Sequence, residues 1–387
     1  YKRRFRLYKK IQKVKNYKWI YSKNNFLNSV DKFKLKKFYD STYDFELGWE
    51  PEANSIKNEL LVNKKIGELK FDKYRRRYDP NEELQESEYV IFGDSYALSR
   101  QVDEVNTIAH LLGIKYNKFF PNYGVGNYGL DQAYLRYLKY KKFLKDKHII
   151  FIVVPETIVR INTRWRHFHE TGNIFGFKPK FSINKRNKLF IEENPIKNFS
   201  DYEIIFNDFI NRSSDLINDP MYKYRFEKEV INFENLIKLK SESISKVFEY
   251  FNWILRANYL NKIGDSEGLT IRMKSNAAFT NKCYTIQHTQ ILFEKLILEI
   301  KKETNNNMSI FVIPQLSDLK KNNAQRKNFF NRISIQHCIK IFDATNLLLE
   351  EMGSIKNTEL LYVEKGYGGH LRNEGNLLIA KWIKELI

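Results

Sequence analysis

The chain has 387 residues, with 66 Lys and Arg against 46 Asp and Glu, 15% aromatics, and only 16 Gly and 8 Pro. It is long enough to bury one large core or two modest ones, and its composition excludes collagen-like and low-complexity classes. The longest apolar run, Ile149 to Val154, is far short of the ~20 residues of a membrane helix, and nothing at the start reads as a secretory leader. The expectation is a soluble globular chain, cytoplasmic or membrane-peripheral, with its location left open because the sequence starts at Tyr1.

The net charge of +20 is concentrated at the beginning, where residues 1 to 30 carry ten Lys or Arg and no acid. This basic, aromatic-laced head suits an anionic membrane surface, an acidic glycan or nucleic acid, and equally a solvated helix with its aromatics packed on the body. No nucleic-acid motif accompanies the charge, so no specific nucleic acid is expected. Residues 1 to 87 read as a basic N-terminal appendage: DFELGWEPEAN is turn-rich, and the charged stretch after it is broken by Pro80.

From Glu88 the grammar becomes strand, turn, helix. The spacing predicts a strand over Tyr89 to Phe92, a helix over Val102 to Leu112, and Phe119 to Phe120 leading into the glycine-rich NYGVGNYGLDQ at Asn122 to Gln132. A helix over Asp131 to Leu144 follows, then HIIFIVVP, whose continuous apolar run belongs in the middle of a parallel sheet covered on both faces. The stretch between this third strand and a helix at Thr285 to Glu303 far exceeds an ordinary connection. It is read as a mostly helical insertion over 170 to 280, a cap or lid. It opens with a hairpin (KPKFSI, NKLFI) and continues in helices at Tyr202 to Leu216, Tyr222 to Lys240 and Glu242 to Leu260. Strands at Ser309 to Pro314 and Ile339 to Ala344, a polar helix near Ser317 to Ser334 and a last helix over Glu374 to Leu386 complete a doubly wound α/β sheet of five parallel strands. Cys283 and Cys338, without a CxxC, are read as buried thiols. The seven histidines form no HxxxH or HExxH, so neither a metal nor a cofactor is expected.

Gly93-Asp94-Ser95 directly follows the first strand, which places Ser95 where open α/β sheets keep their ligand crevice. By itself the triplet reads as a helix N-cap. The balance shifts with Gly366-Tyr367-Gly368-Gly369-His370 before the last helix, since a histidine on a glycine-rich loop is poorly placed for a core and well placed to reach a nucleophile. The glycine-rich loop at Asn122 to Gly129 can present a backbone N–H to the same crevice.

These segments, with ELGWEPEAN, FIVVPETIVRINTRWRHF, FDATNLL and GGHLRNEGNLLIAKWI in the same order, resemble the SGNH hydrolases, also called GDSL-type esterases, over about residues 44 to 387. Within them they resemble the branch associated with bacterial polysaccharide modification. The resemblance implies a flavodoxin-like fold and hydrolysis or transfer of acyl groups, commonly acetyl, with Ser95 as nucleophile and His370 as base. Asp94 is placed with them in the candidate site. Oxyanion donors would come from the backbone of Ser95 and of the Gly126-Asn127 turn. The family's oxyanion asparagine falls on Thr157, a hydroxyl in place of an amide. Loss of one such donor typically costs ~10² to 10³ in rate. The family's acid, three residues before the histidine, falls on Tyr367, and Glu364 and Asp343 are the candidates to orient the imidazole. Arg160, Arg164 and Trp165 can line a sugar-binding floor or anchor the insertion. The expected activity is that of a serine esterase or O-acyltransferase on a carbohydrate, acidic glycans included among the substrates; the alternative is a catalytically degenerate module that binds a glycan or a protein.

Overall fold

Five segments pair side by side: β1 (Tyr89–Gly93), β2 (Asn122–Gly124), β3 (His148–Val153), β4 (Met308–Val312) and β5 (Lys340–Asp343). The computed structural model of the chain describes residues 30–61, 64–166, 173–207, 277–319, 324–363 and 369–387. The strands form one all-parallel sheet in the order β2-β1-β3-β4-β5. The apolar run predicted for the sheet's middle is indeed the central strand, with Ile149 to Val153 all buried. The second strand begins later than the Phe119-Phe120 pair suggests. Its three residues are the first three of the glycine-rich motif, so this motif is part strand and part loop.

Alternation along β1 sorts the two faces. Ile91 joins Ile150 and Ile152 in a core shared with Ile108, Ala109 and Leu112 of α1 (Ile108–Tyr116). Ile379, Ala380 and Ile383 of the last helix belong to the same core. Phe92 faces the other way, stacked on Tyr123 at 4.8 Å and edge-on to Tyr137 of α2 (Leu130–Tyr140). There Tyr137 donates to the Glu303 carbonyl at the end of α3 (Gln287–Glu303). The sheet is completed by α4 (Ala324–His337) between β4 and β5, and by α5 (Asn373–Leu386). Local chemistry sets the ends of α1: the Thr107 hydroxyl accepts the His110 N–H, and Asn117 closes the helix in a left-handed conformation at φ 52°.

The described residues fall into two compact units, and the boundaries differ from those expected. Residues 41–87 belong with the sheet rather than to an appendage. The reason is Glu50, 1% exposed, whose carboxylate takes Lys139 Nζ at 2.9 Å, Tyr140 Oη at 2.7 Å and Arg75 at 3.3 Å. A buried carboxylate paired this way fixes the segment to α2. The hairpin Lys180–Ile183 with Leu189–Glu192 forms as expected, antiparallel, but it too belongs to the sheet unit, with Phe181 against Tyr134. The second unit contains the described residues 30–40, 163–166, 173–178 and 194–207. In it Tyr39 meets Phe199 edge-on and Tyr202 donates to the Phe175 carbonyl. The helices expected at Tyr222 to Lys240 and Glu242 to Leu260, and residues 1–29 of the basic head, lie outside the described residues.

Of the two thiols, Cys283 is buried, which pushes it up to about 12, whereas Cys338 is exposed, contrary to the expectation of two buried cysteines. Among the described residues no helix is long and apolar enough to cross a membrane.

Candidate active site

The site begins at a glycine that nothing else can replace. Gly93 ends β1 at φ +149°, and a Cβ there would lie 1.9 Å from the Ile152 carbonyl oxygen. This lets the chain turn tightly against β3. Asp94 then stitches the turn: its Oδ1 accepts the Tyr96 N–H at 2.9 Å and its Oδ2 the Val154 N–H at 2.8 Å. Arg160 approaches the same oxygen at 3.4 Å. Burial pushes the Asp94 carboxyl up, opposed by the Arg160 guanidinium and the two N–H donors. Asp94 is thus a brace for the turn, joining the ends of two adjacent strands, and no contact ties it to the imidazole.

The turn delivers Ser95 Oγ to His370 Nε2 at 2.8 Å. Serine and histidine are 275 positions apart in sequence, and the histidine's loop is held from the serine's side. Tyr96, adjacent to the serine, donates its hydroxyl to the Gly369 carbonyl at 2.7 Å. Gly369 is left-handed at φ +59° and faces Leu316, and the His370 carbonyl accepts the Val363 N–H at 2.8 Å. On the far side of the ring, His370 Nδ1 meets Gln101 Oε1 at 3.1 Å.

The glycine-rich loop closes on the same turn. Val125 donates to the Gly93 carbonyl, and Asn122 Nδ2 donates to the Ala97 carbonyl at 2.7 Å. A Cβ on Gly124 would fall 2.4 Å from the Leu98 nitrogen, so only glycine admits this approach. Asn127 takes φ +68°, a conformation asparagine tolerates better than most residues. Among the described residues, the N–H groups of Ser95, Gly126 and Asn127 donate to no acceptor. Unspent backbone donors beside a serine and a histidine are what stabilisation of an oxyanion needs.

Several expected residues are placed differently. The Thr157 hydroxyl accepts the Leu130 N–H at 2.8 Å and is fully buried. It supplies the N-terminal cap of α2 that Gly129, lacking a side chain, leaves unfilled, a role as acceptor that the sequence did not suggest. Asp343 is engaged by Arg326 at 2.7 Å and by the Thr345 hydroxyl and N–H at 2.6 and 3.0 Å. It heads the helix after β5, and Gln101 rather than Asp343 stands at Nδ1. Arg160 is 3% exposed and spends its guanidinium on Glu156, Asp94 and the Tyr128 carbonyl. It is a buried clamp, so the expectation that it binds substrate is withdrawn.

Trp165 is also buried, stacked on Phe177 at 5.1 Å with its indole N–H on the Ile174 carbonyl. It belongs to the core of the second unit and offers no platform for a sugar. Arg164, half-buried, lies in that unit as well and accepts the Lys178 N–H through its carbonyl. Glu364, Gly366, Tyr367 and Gly368, with His167 and His169, lie outside the described residues. No group of three or more His, Cys, Asp or Glu suited to a metal occurs among the described residues.

Sequence reasoning missed Gln101, Tyr96 and Trp49. Trp49 Nε1 donates to the Gly126 carbonyl at 3.1 Å, and Tyr128 Oη donates to the Trp49 carbonyl. The GWE segment was conspicuous, but nothing local linked it to a loop 77 positions away. No model of a known protein family matches the chain, and no curated protein is similar to it.

Proposed function

We propose that the chain is a serine esterase or O-acyltransferase of the SGNH type, acting on acyl, chiefly acetyl, groups of a carbohydrate. The observation that carries this reading is the 2.8 Å contact between Ser95 Oγ and His370 Nε2 beside free backbone donors. The strand order 2-1-3-4-5 favours it, being the order of flavodoxin-like sheets, whose ligands bind beyond the carboxyl ends of the strands at the switch point between the first and third. Ser95 lies there. The choice of a carbohydrate rests on the sequence resemblance alone.

In this reading Ser95 Oγ attacks the ester carbonyl while its proton passes to His370 Nε2. The oxyanion is received by the N–H groups of Ser95 and the Gly126-Asn127 turn. The imidazolium returns the proton to the departing alcohol, leaving an acyl-serine. Water or a sugar hydroxyl, deprotonated by the same Nε2, then takes the acyl group, so hydrolysis and transfer share one intermediate.

A second reading, a binding module without turnover, is favoured by Thr157, where the resemblance expects an amide donor and the chain has a fully buried hydroxyl that accepts the Leu130 N–H. Hydrolysis of 4-nitrophenyl acetate together with labelling by a serine-directed phosphonate separates the two. Turnover and labelling, both lost in Ser95→Ala at unchanged thermal stability, are expected. Persistence of either in Ser95→Ala, or neither in the parent, overturns the esterase reading.

A further inference from the structure

We infer that Gln101 is the positioning residue of the serine–histidine pair, holding His370 in the tautomer that can act as a base. The inference rests on the serine-hydrolase reading and adds to it a neutral amide where such sites ordinarily carry a carboxylate.

The argument starts from proton bookkeeping on the ring. A neutral imidazole carries one proton. For Nε2 to accept the Ser95 hydroxyl hydrogen across 2.8 Å, that proton sits on Nδ1. Nδ1–H then needs an acceptor, and Gln101 Oε1 at 3.1 Å is one. Turning the amide over would present its NH₂ instead, drive the ring proton to Nε2 and leave Ser95 facing a donor. In serine proteases an amide that leaves the imidazole in the wrong tautomer costs ~10⁴ in rate.

Two features show that the fold commits to this arrangement. Gln101 is 3% exposed and takes φ +73°, a backbone state that L-residues other than Asn and Asp seldom adopt. Its other amide atom, Nε2, is buried with no hydrogen-bond partner. A buried amide that leaves a donor unsatisfied while its carbonyl serves a histidine is hard to explain as packing. It is explained if the carbonyl's position on Nδ1 is the feature retained.

The amide also sets a limit. During acylation the Oγ–carbon bond forms, the Oγ proton moves to Nε2, and the ring becomes imidazolium with Nδ1–H still donating to Oε1. A neutral carbonyl fixes the ring but offers the new positive charge only a dipole, where a carboxylate would offer a full opposite charge.

The test uses the full chain with 4-nitrophenyl acetate, comparing Gln101→Met, Gln101→Glu, Ser95→Ala and His370→Ala across pH. Gln101→Met keeps the volume and removes the acceptor; kcat is expected to fall at least ~10-fold with KM within ~2-fold. Gln101→Glu is expected to keep or raise kcat and to move the midpoint of its pH dependence upward by about one unit, because an adjacent carboxylate favours the protonated ring. A purely structural glutamine would leave both kcat and the pH midpoint of Gln101→Met, which introduces no charge, at the parent's values. Nitrogen-15 NMR of His370, assigned by difference from His370→Ala, reads the tautomer without turnover: Nδ1–H in the parent is expected, and Nε2–H overturns the inference. So does a Gln101→Met variant with parental kcat and pH midpoint while Ser95→Ala is inactive, and there the hydrolase reading survives. If Ser95→Ala keeps turnover, that reading falls and takes the role of Gln101 with it.

Discussion

The indole N–H of Trp49 donates to the carbonyl of Gly126 at 3.1 Å, and this single bond orients a peptide group on the opposite side of the loop. The chain has no cis peptide among its described residues, so in the trans Gly126-Asn127 unit the carbonyl and the Asn127 N–H point in opposite directions. With the carbonyl turned to Trp49, the N–H is turned away from it and stays unspent. The indole further packs edge-on against Tyr128 at 5.7 Å, which fixes the ring itself.

Trp49→Phe retains the packing and removes the donor. The proposed oxyanion donor then loses its orientation without being deleted, so kcat on an acetyl ester is expected to fall by roughly 10-fold, less than the ~10² to 10³ of outright donor loss. KM and melting temperature should change little. Equal rates for Trp49→Phe and the parent would mean that the Asn127 N–H does not serve the reaction.

Gly93 gives a prediction about folding that is independent of function. With φ at +149° and a Cβ position 1.9 Å from Ile152 O, Gly93→Ala must displace β1 or β3 at the centre of the sheet. Losses above ~3 kcal/mol are expected, read as a large drop in the urea midpoint. By contrast Gly126→Ala, where a Cβ meets nothing within 4 Å, should fold like the parent.

How much of this was legible follows from the range over which each signal acts. The sheet was visible because HIIFIV is a continuous apolar strand wherever it is placed, and alternation with helices of ordinary length implies parallel pairing. Ser95 was visible because it directly follows an apolar strand ended by Gly93, and His370 because it sits on a glycine-rich loop, both local properties. Trp165 was misread because an exposed stacking platform and a core indole look alike in sequence, and what decides between them is Phe177, a partner twelve residues on. Arg160 was misread for the same reason, and the cap role of Thr157 was missed, their partners Asp94 and Leu130 being far off in sequence. Gln101 carries no local sign at all, since the ring it meets, His370, is 269 positions away.

Arg160 tests the clamp that replaced the expected sugar contact. Its guanidinium lies between Glu156 at 2.9 Å and Asp94 at 3.4 Å, all three buried. Arg160→Met leaves two buried carboxylates without that cation, which costs ~3 to 5 kcal/mol. Burial pushes the Asp94 carboxyl up and the Arg160 guanidinium opposes it, so without the arginine protonation of Asp94 relieves the cost at low pH, and the loss is expected to be larger at pH 8 than at pH 5 when melting temperatures are compared with the parent's. A loss independent of pH would assign the arginine a packing role only.

Asp318 supplies a prediction in which the sign of the pH effect decides. It lies beyond β4, fully buried, with Oδ2 accepting the Gln315 N–H at 2.9 Å. Burial raises its carboxyl to about 7, aided by the charges of Glu156 and Asp343 and opposed by the Arg326 guanidinium and the Gln315 N–H. In the unfolded chain an aspartate ionises near pH ~4. Between these values the native state holds a proton that the unfolded state has released, so stability falls as pH rises, with a limiting slope of about 1.4 kcal/mol per pH unit. Below that window both states are protonated and the effect vanishes; above it the whole penalty is present. Asp318→Asn keeps a carbonyl for the Gln315 N–H and removes the titration, while the cost of its extra amide protons does not vary with pH. The variant is therefore expected to gain stability over the parent steadily from pH 4 to pH 7 and to hold that gain at pH 8. Parallel curves for variant and parent across this range, measured by thermal or urea unfolding, would show that Asp318 does not carry its proton into the folded state.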